Sequence, residues 1–173
     1  MNSQILAYNN FANVLAEAKK RVEKFSDAKK ENLKIAINHG LGHLKLQSQL
    51  DMYLYLYGEI HQQKLQLAFE GLPQKILYEE GVSVIDYGCG QGIASMVLCD
   101  FLYAKVGHSC YRSDFHLIEP SLVCLMKSVE FVRSFCPNAL IYDYNDVCGS
   151  LWRMNIHPRS EIVLHLFSNV VDI

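Results

Sequence analysis

One acid and three glycines in the middle of the chain have the spacing of a ligand-binding turn. Asp86 ends an apolar run, and Gly88, Gly90 and Gly92 follow it at intervals of two residues. A buried strand that ends in a glycine-rich turn and opens a helix is a frequent nucleotide-binding geometry. Glycine allows a sharp turn and close approach to a ligand. The helix start that follows suits a carboxylate or a phosphate.

The elements that position this turn alternate between strand and helix from Gly81 onward. Apolar runs predict strands at 82–86, 115–118, 139–142 and 161–167. Apolar positions at helical spacing predict helices over 93–106 and after Ser121, and a short helix over 147–154. This alternation predicts an α/β fold with a parallel sheet.

The first 80 residues contain no convincing strand. Helical periodicity predicts one helix through 11–25, a short one over 33–37 and a longer one from about 47 to 70. The domain prediction is therefore an all-α segment over 1–80 followed by an α/β domain over 81–173.

The long third helix has polar residues on its apolar side. Tyr57 and His61 lie near the centre of that side, and Lys64 lies on its flank. They are either satisfied core residues with an outward-reaching lysine, or groups that this helix contributes to a ligand or substrate. Both interpretations stay open at this point.

The pattern D-x-G-x-G-x-G resembles the first motif of the class I S-adenosylmethionine (SAM)-dependent methyltransferases. The resemblance runs from about Val82 to the end, with motifs in the expected order. It implies a Rossmann-like parallel sheet of order 3-2-1-4, SAM as methyl donor and S-adenosylhomocysteine as product. A nicotinamide-dependent oxidoreductase fits less well, because its G-x-G-x-x-G fingerprint requires glycine where Ile93 stands.

The resemblance also implies roles for individual residues. Asp86 would position the methionine end of SAM, and Glu119 would hold both ribose hydroxyls, since a carboxylate can accept two hydrogen bonds from a cis-diol. Asp143, expected just after the third strand, would meet the adenine amine, with Tyr144 against the ring. The full set of predicted cofactor-binding residues is Asp86, Tyr87, Gly88, Cys89, Gly90, Gly92, Glu119, Pro120, Asp143 and Tyr144.

Catalytic residues are much less evident. The end of the fourth strand faces the transferred methyl group in this family, and here it offers His165 as a base and Asn169 as a group that could hold the acceptor. The alternative is that these are an ordinary sheet residue and a turn residue. The acceptor stays open among a small molecule, a protein and an RNA.

The chain departs from the family in strand number. Class I methyltransferase sheets usually have seven strands, and only four are predicted here, so we expect a C-terminally truncated chain. The fourth strand would then be an edge, through which two copies could form a homodimer. A methyltransferase-like module that binds SAM, or has lost it, and acts through interaction is a further alternative.

Composition excludes several classes of protein. Half of the 173 residues are hydrophobic and a fifth are charged, which is typical of a globular chain. The net charge of −2 is unlike the basic footprint of a DNA-binding protein. Neither a membrane-spanning run nor a signal peptide is evident. Six scattered cysteines without a C-x-x-C pair predict reduced thiols in a cytoplasmic protein and no metal site.

Overall fold

The computed structural model describes residues 10–40, 44–78, 81–107, 113–147 and 154–167. No helix in these ranges is long and apolar enough to cross a membrane. The elements found there are, in chain order, α1 (Phe11–Val22), α2 (Asp27–Ile37), a 3₁₀ helix (Asn38–Gly40), α3 (Gln47–Glu70), α4 (Gln74–Tyr78), β1 (Ser83–Tyr87), α5 (Ile93–Val106), β2 (Asp114–Ile118), α6 (Leu122–Phe135), β3 (Leu140–Tyr144) and β4 (Val163–Leu166).

The four strands form one parallel sheet in the order β3-β2-β1-β4. The predicted α/β class and strand order are therefore confirmed. Asp86 on β1 lies beside Leu117 on β2, which in turn lies beside Asp143 on β3. Because the strands are parallel, the loops after β1, β2 and β3 leave from the same edge of the sheet, where ligands bind in open α/β sheets.

Successive residues of a strand point to opposite faces of the sheet, so alternate strand residues belong to different hydrophobic clusters. Helices α5 and α6 cover one face, whose buried strand residues are Val84, Phe115, Leu117, Leu164 and Leu166. Ile85, Tyr87 and Ile118 belong to a second cluster, against which Met154 and Ile156 pack. The first cluster is the larger and forms the main core.

The N-terminal helices share that main core. Phe11 and Val14 of α1 and Leu54 and Phe69 of α3 are buried in the same cluster as the strand residues facing α5 and α6. Gly58 permits the close approach of α1, because a Cβ added there would collide with the Leu15 side chain.

A partly buried ion pair also joins α1 to α3. Arg21 donates from Nε and Nη2 to the two carboxylate oxygens of Asp51, at 3.0 and 2.9 Å. This is the bidentate arrangement that gives an arginine–carboxylate pair its geometric specificity. The pair fixes α1 against the first turns of α3.

Strand β3 is displaced from its predicted position. The sequence predicted 139–142 with Asp143 beyond the strand, which is wrong, because β3 runs to Tyr144. Asp143 and Tyr144 pair with Leu117 and Ile118, so the ladder continues as far as β2 does.

Other boundaries differ less. Helix α2 begins at Asp27 rather than 33, since Ser26 accepts from the Lys29 N–H and caps it. Strand β4 is shorter than 161–167, and α4 was not predicted. Most of the helix predicted for 147–154 lies outside the described residues.

Candidate ligand-binding site

The glycine loop, residues 88–92, connects β1 to α5. Gly88, Gly90 and Gly92 have φ angles of 58°, 54° and 81°, in the left-handed region that favours glycine. A Cβ added at Gly92 would lie 3.0 Å from the Ser128 Cβ, so this glycine permits close packing on α6. A Cβ added at Gly90 would meet nothing within 4 Å. Gly90 therefore borders open space.

Glu119, directly after β2, connects the glycine loop to the start of α6. Its Oε2 accepts from the Gly90 N–H at 2.9 Å, and its Oε1 accepts from the Ser121 N–H at 2.8 Å. The residue is only 9 % exposed. Two backbone donors from different loops therefore fix the orientation of this carboxylate at the edge of the sheet.

Asn145 holds the loops after β2 and β3 together. Its Nδ2 donates to the carbonyl oxygens of Glu119 and Pro120, at 3.0 and 2.9 Å. The Glu119 N–H donates to the Tyr144 carbonyl at 3.1 Å. The backbone around Glu119 is thus tied to β3, a contact that sequence reasoning missed.

Asp86 is a fully buried carboxyl group next to the glycine loop. Its Oδ2 accepts from the Ser95 hydroxyl at 2.7 Å, and its Oδ1 has no hydrogen-bond partner among the described residues. Burial raises the pKa of Asp86 to about 7, the nearby charge of Glu119 adds to the rise, and the Ser95 hydrogen bonds oppose it. A buried acceptor without a partner is suited to a donor from a ligand.

Gln91 links the glycine loop to α3. Its Nε2 donates to the Leu50 carbonyl at 3.1 Å, while its Oε1 has no partner among the described residues. The Ser121 hydroxyl donates to the Leu44 carbonyl. Residues 44–50, here called the cap segment, therefore contact both the glycine loop and the start of α6.

The side chains of Tyr87 and Cys89 make contacts within the protein. The Tyr87 hydroxyl is hydrogen-bonded to His165 Nδ1 at 2.9 Å, and its ring stacks on Phe167 with a centroid distance of 4.4 Å. Cys89 Sγ lies 3.5 Å from Ser128 Oγ, and burial raises the pKa of its thiol. Both side chains are thus engaged within the protein, Tyr87 with residues at the end of β4 and Cys89 with α6.

Tyr144 belongs to a polar network on the sheet. Its hydroxyl is hydrogen-bonded to His116 Nδ1 at 3.0 Å, and His116 Nε2 lies 2.9 Å from an Asp114 carboxylate oxygen. The Ser83 hydroxyl donates to the other Asp114 oxygen at 2.7 Å. The Tyr144 ring stacks against His116. This network occupies the Tyr144 hydroxyl within the sheet.

The acid predicted to meet the adenine amine does not follow the third strand. Asp143 is exposed and lies within β3. The first acid beyond the end of β3 is Asp146, which follows Asn145.

Two of the candidate residues predicted on α3, Tyr57 and His61, contact each other and Tyr53 of the same helix. Tyr53 Oη and His61 Nε2 are 3.0 Å apart, and Tyr53 contacts the Tyr57 ring at 5.1 Å. Burial lowers the pKa of His61, with a further contribution from the charge of Lys64, which is itself exposed. The α3 contact to the glycine loop comes from Leu50 instead.

The catalytic candidates are only partly described. His165 is exposed and lines a cavity of about 280 Å³ between β4 and the end of α3. Leu65, Phe69 and Leu72 form the opposite wall of this cavity. Asn169 lies outside the described residues.

Neither a protein-family model nor a curated protein matches the sequence.

Proposed function

We propose that this chain is the SAM-binding part of a class I SAM-dependent methyltransferase with a Rossmann-like fold. The observation that carries the proposal is the position of Glu119. A nearly buried carboxylate at the carboxyl end of β2 is aimed by two backbone N–H groups beside the glycine loop of β1. That is the position from which an acid can bind a ribose at the edge of a parallel sheet.

The surrounding groups fit the other parts of SAM. The ammonium needs an acceptor, and Asp86 Oδ1 is buried without a partner among the described residues. The methionine carboxylate suits the first N–H groups of α5, where the helix dipole is positive. The space beside Gly90 would be filled by a side chain at that position. Asp143, within β3, and Asp146, the first acid beyond it, are the two candidates for accepting from the adenine amine.

The bound cofactor would supply an electrophilic methyl group on its sulfonium. The residues of this chain would bind and orient it, while the cap segment covers one side of the site. His165, held by Tyr87, is the candidate for accepting a proton from the methyl acceptor. Transfer by proximity and alignment alone remains the alternative.

Calorimetric titration of the chain with S-adenosylhomocysteine, with NAD as control, tests this proposal. We expect micromolar binding of S-adenosylhomocysteine and no heat from NAD. Binding of NAD alone would instead support an oxidoreductase. A folded sample that binds neither ligand would contradict the SAM-binding assignment.

A further inference from the structure

We propose that Gln91 selects ligands that carry an amino-acid end, because it offers Oε1 to their protonated amine while Nε2 ties the glycine loop to the cap segment. This inference rests on the proposed function, since it concerns how the same site distinguishes among adenosine ligands. Neither the D-x-G-x-G-x-G pattern nor the roles implied by the family resemblance assign anything to this side chain.

The hydrogen bond to α3 sets the orientation of the Gln91 carboxamide. The Leu50 carbonyl can only accept, so the amide nitrogen must face it. The amide oxygen is then the atom of the carboxamide that does not contact Leu50. With 3 % of the residue exposed, the side chain has little freedom to turn over.

The amide oxygen is buried without a hydrogen-bond partner among the described residues. A buried acceptor in this state costs free energy, and buried polar atoms in native proteins nearly always find a partner. Gln91 Oε1 is therefore an acceptor in need of a donor. The Leu50 carbonyl cannot supply that donor, because a carbonyl only accepts.

Asp86 Oδ1 is the other buried side-chain oxygen without a partner in the described ranges. Asp86 precedes the glycine loop and Gln91 belongs to it. The two acceptors without partners therefore lie at opposite ends of one short segment, residues 86–91. A primary ammonium has three N–H donors and a positive charge, whereas a hydroxyl has one donor and no charge. Two acceptor oxygens, one of them on a carboxyl group, therefore match a protonated amine best.

The test compares two ligands that differ in the amino-acid end. S-adenosylhomocysteine carries the ammonium, and 5′-methylthioadenosine has the same nucleoside without it. Gln91→Met keeps the length of the side chain and removes both amide groups. We expect it to weaken S-adenosylhomocysteine binding about tenfold or more, as loss of a hydrogen bond to a charged group does, and to leave 5′-methylthioadenosine binding within about twofold.

Ser121→Ala is the matched control. It removes the hydroxyl that ties the start of α6 to Leu44, so it loosens the cap segment without removing an acceptor for the amine. We expect it to change both affinities in the same proportion. If Gln91→Met also lowers both affinities equally, or lowers neither, the assignment to the amine is wrong.

A measurement on the wild-type chain covers the case in which Gln91→Met fails to fold. The Gln91 side-chain amide resonances should shift in ¹⁵N spectra on addition of S-adenosylhomocysteine and much less with 5′-methylthioadenosine. Equal shifts with both ligands would overturn the inference. Wild-type chain that binds neither ligand would overturn the proposed function itself, which is a distinguishable result.

Discussion

Replacing Glu119 with alanine is expected to weaken S-adenosylhomocysteine binding by roughly 1–3 kcal/mol, which is about 5- to 150-fold, through loss of charge-assisted hydrogen bonds to the ribose. The Gly90 and Ser121 N–H groups also lose the acceptor that holds them. Calorimetry on the folded variant measures the change. The binding of 5′-methylthioadenosine should weaken by a similar factor, because this ligand carries the same ribose.

Glu130→Ala is the control for that substitution. Glu130 is an exposed acid on α6 that pairs with Lys127. The substitution also removes a glutamate carboxylate, but one outside the glycine loop, so the affinities for S-adenosylhomocysteine and 5′-methylthioadenosine should stay unchanged. A folded Glu119→Ala variant that binds as tightly as wild type would rule out the ribose assignment.

Asp86→Asn is expected to separate the stability of the chain from its binding. Because burial raises the pKa of Asp86 from 3.8 to about 7, the folded state holds this proton more tightly than the unfolded state. The resulting stabilisation is fully present below about pH 4 and is lost as the pH rises through about 7. Asparagine does not ionise. The free energy of unfolding of the variant, relative to that of the wild type, should therefore rise by roughly 2–4 kcal/mol from about pH 5 to about pH 8, at about 1.36 kcal/mol per pKa unit.

Binding should change in the opposite direction. At about pH 8 the variant lacks the ionised partner of the ligand ammonium, so S-adenosylhomocysteine should bind roughly tenfold or more weakly, while 5′-methylthioadenosine is unaffected. Thermal or denaturant unfolding at the two pH values, together with calorimetry, gives both quantities.

Asp100→Asn provides the comparison. Asp100, in the second half of α5, also has a pKa raised by burial. Its carboxylate accepts from the Phe11 N–H of α1 at 2.6 Å. Its substitution should leave the affinities for both ligands unchanged. If Asp86→Asn shows no pH-dependent gain in stability, Asp86 does not carry the buried charge inferred here.

The sheet could be predicted from local signals. Each of the first two strands lies in a largely apolar segment, and a helix-forming segment follows each one, so a parallel sheet could be predicted from the sequence. The order of its strands was implied by the family resemblance. The proximity of Glu119 to the glycine loop then follows too, since β1 and β2 are neighbours. The end of β3 could not be predicted, because aspartate is unfavourable in strands and Asp143 is held there by pairing with Leu117 of β2.

The contacts of the cap segment were also beyond sequence reasoning. Gln91 meets Leu50 across 41 residues, and Ser121 meets Leu44 across 77. No periodicity or turn signal relates positions so far apart. One of the two interpretations of the third helix placed it beside the site, but through Tyr57, His61 and Lys64, which lie farther along α3 than Leu50, the residue that makes the contact.

The tyrosine–histidine pairs show the same limit. Tyr87 and Tyr144 each use their hydroxyl on a histidine of a neighbouring strand. Which side chains face one another across a sheet depends on register, and a shift of one residue would reverse it. The sequence alone could not determine that register.

A crystal structure of the chain soaked with S-adenosylhomocysteine would test the central claim most directly. The predicted result is a ligand at the carboxyl edge of the sheet, with both ribose hydroxyls within hydrogen-bond distance of the Glu119 carboxylate and the amino-acid end beside the start of α5. A ligand bound elsewhere, or one whose ribose does not contact Glu119, would contradict the account.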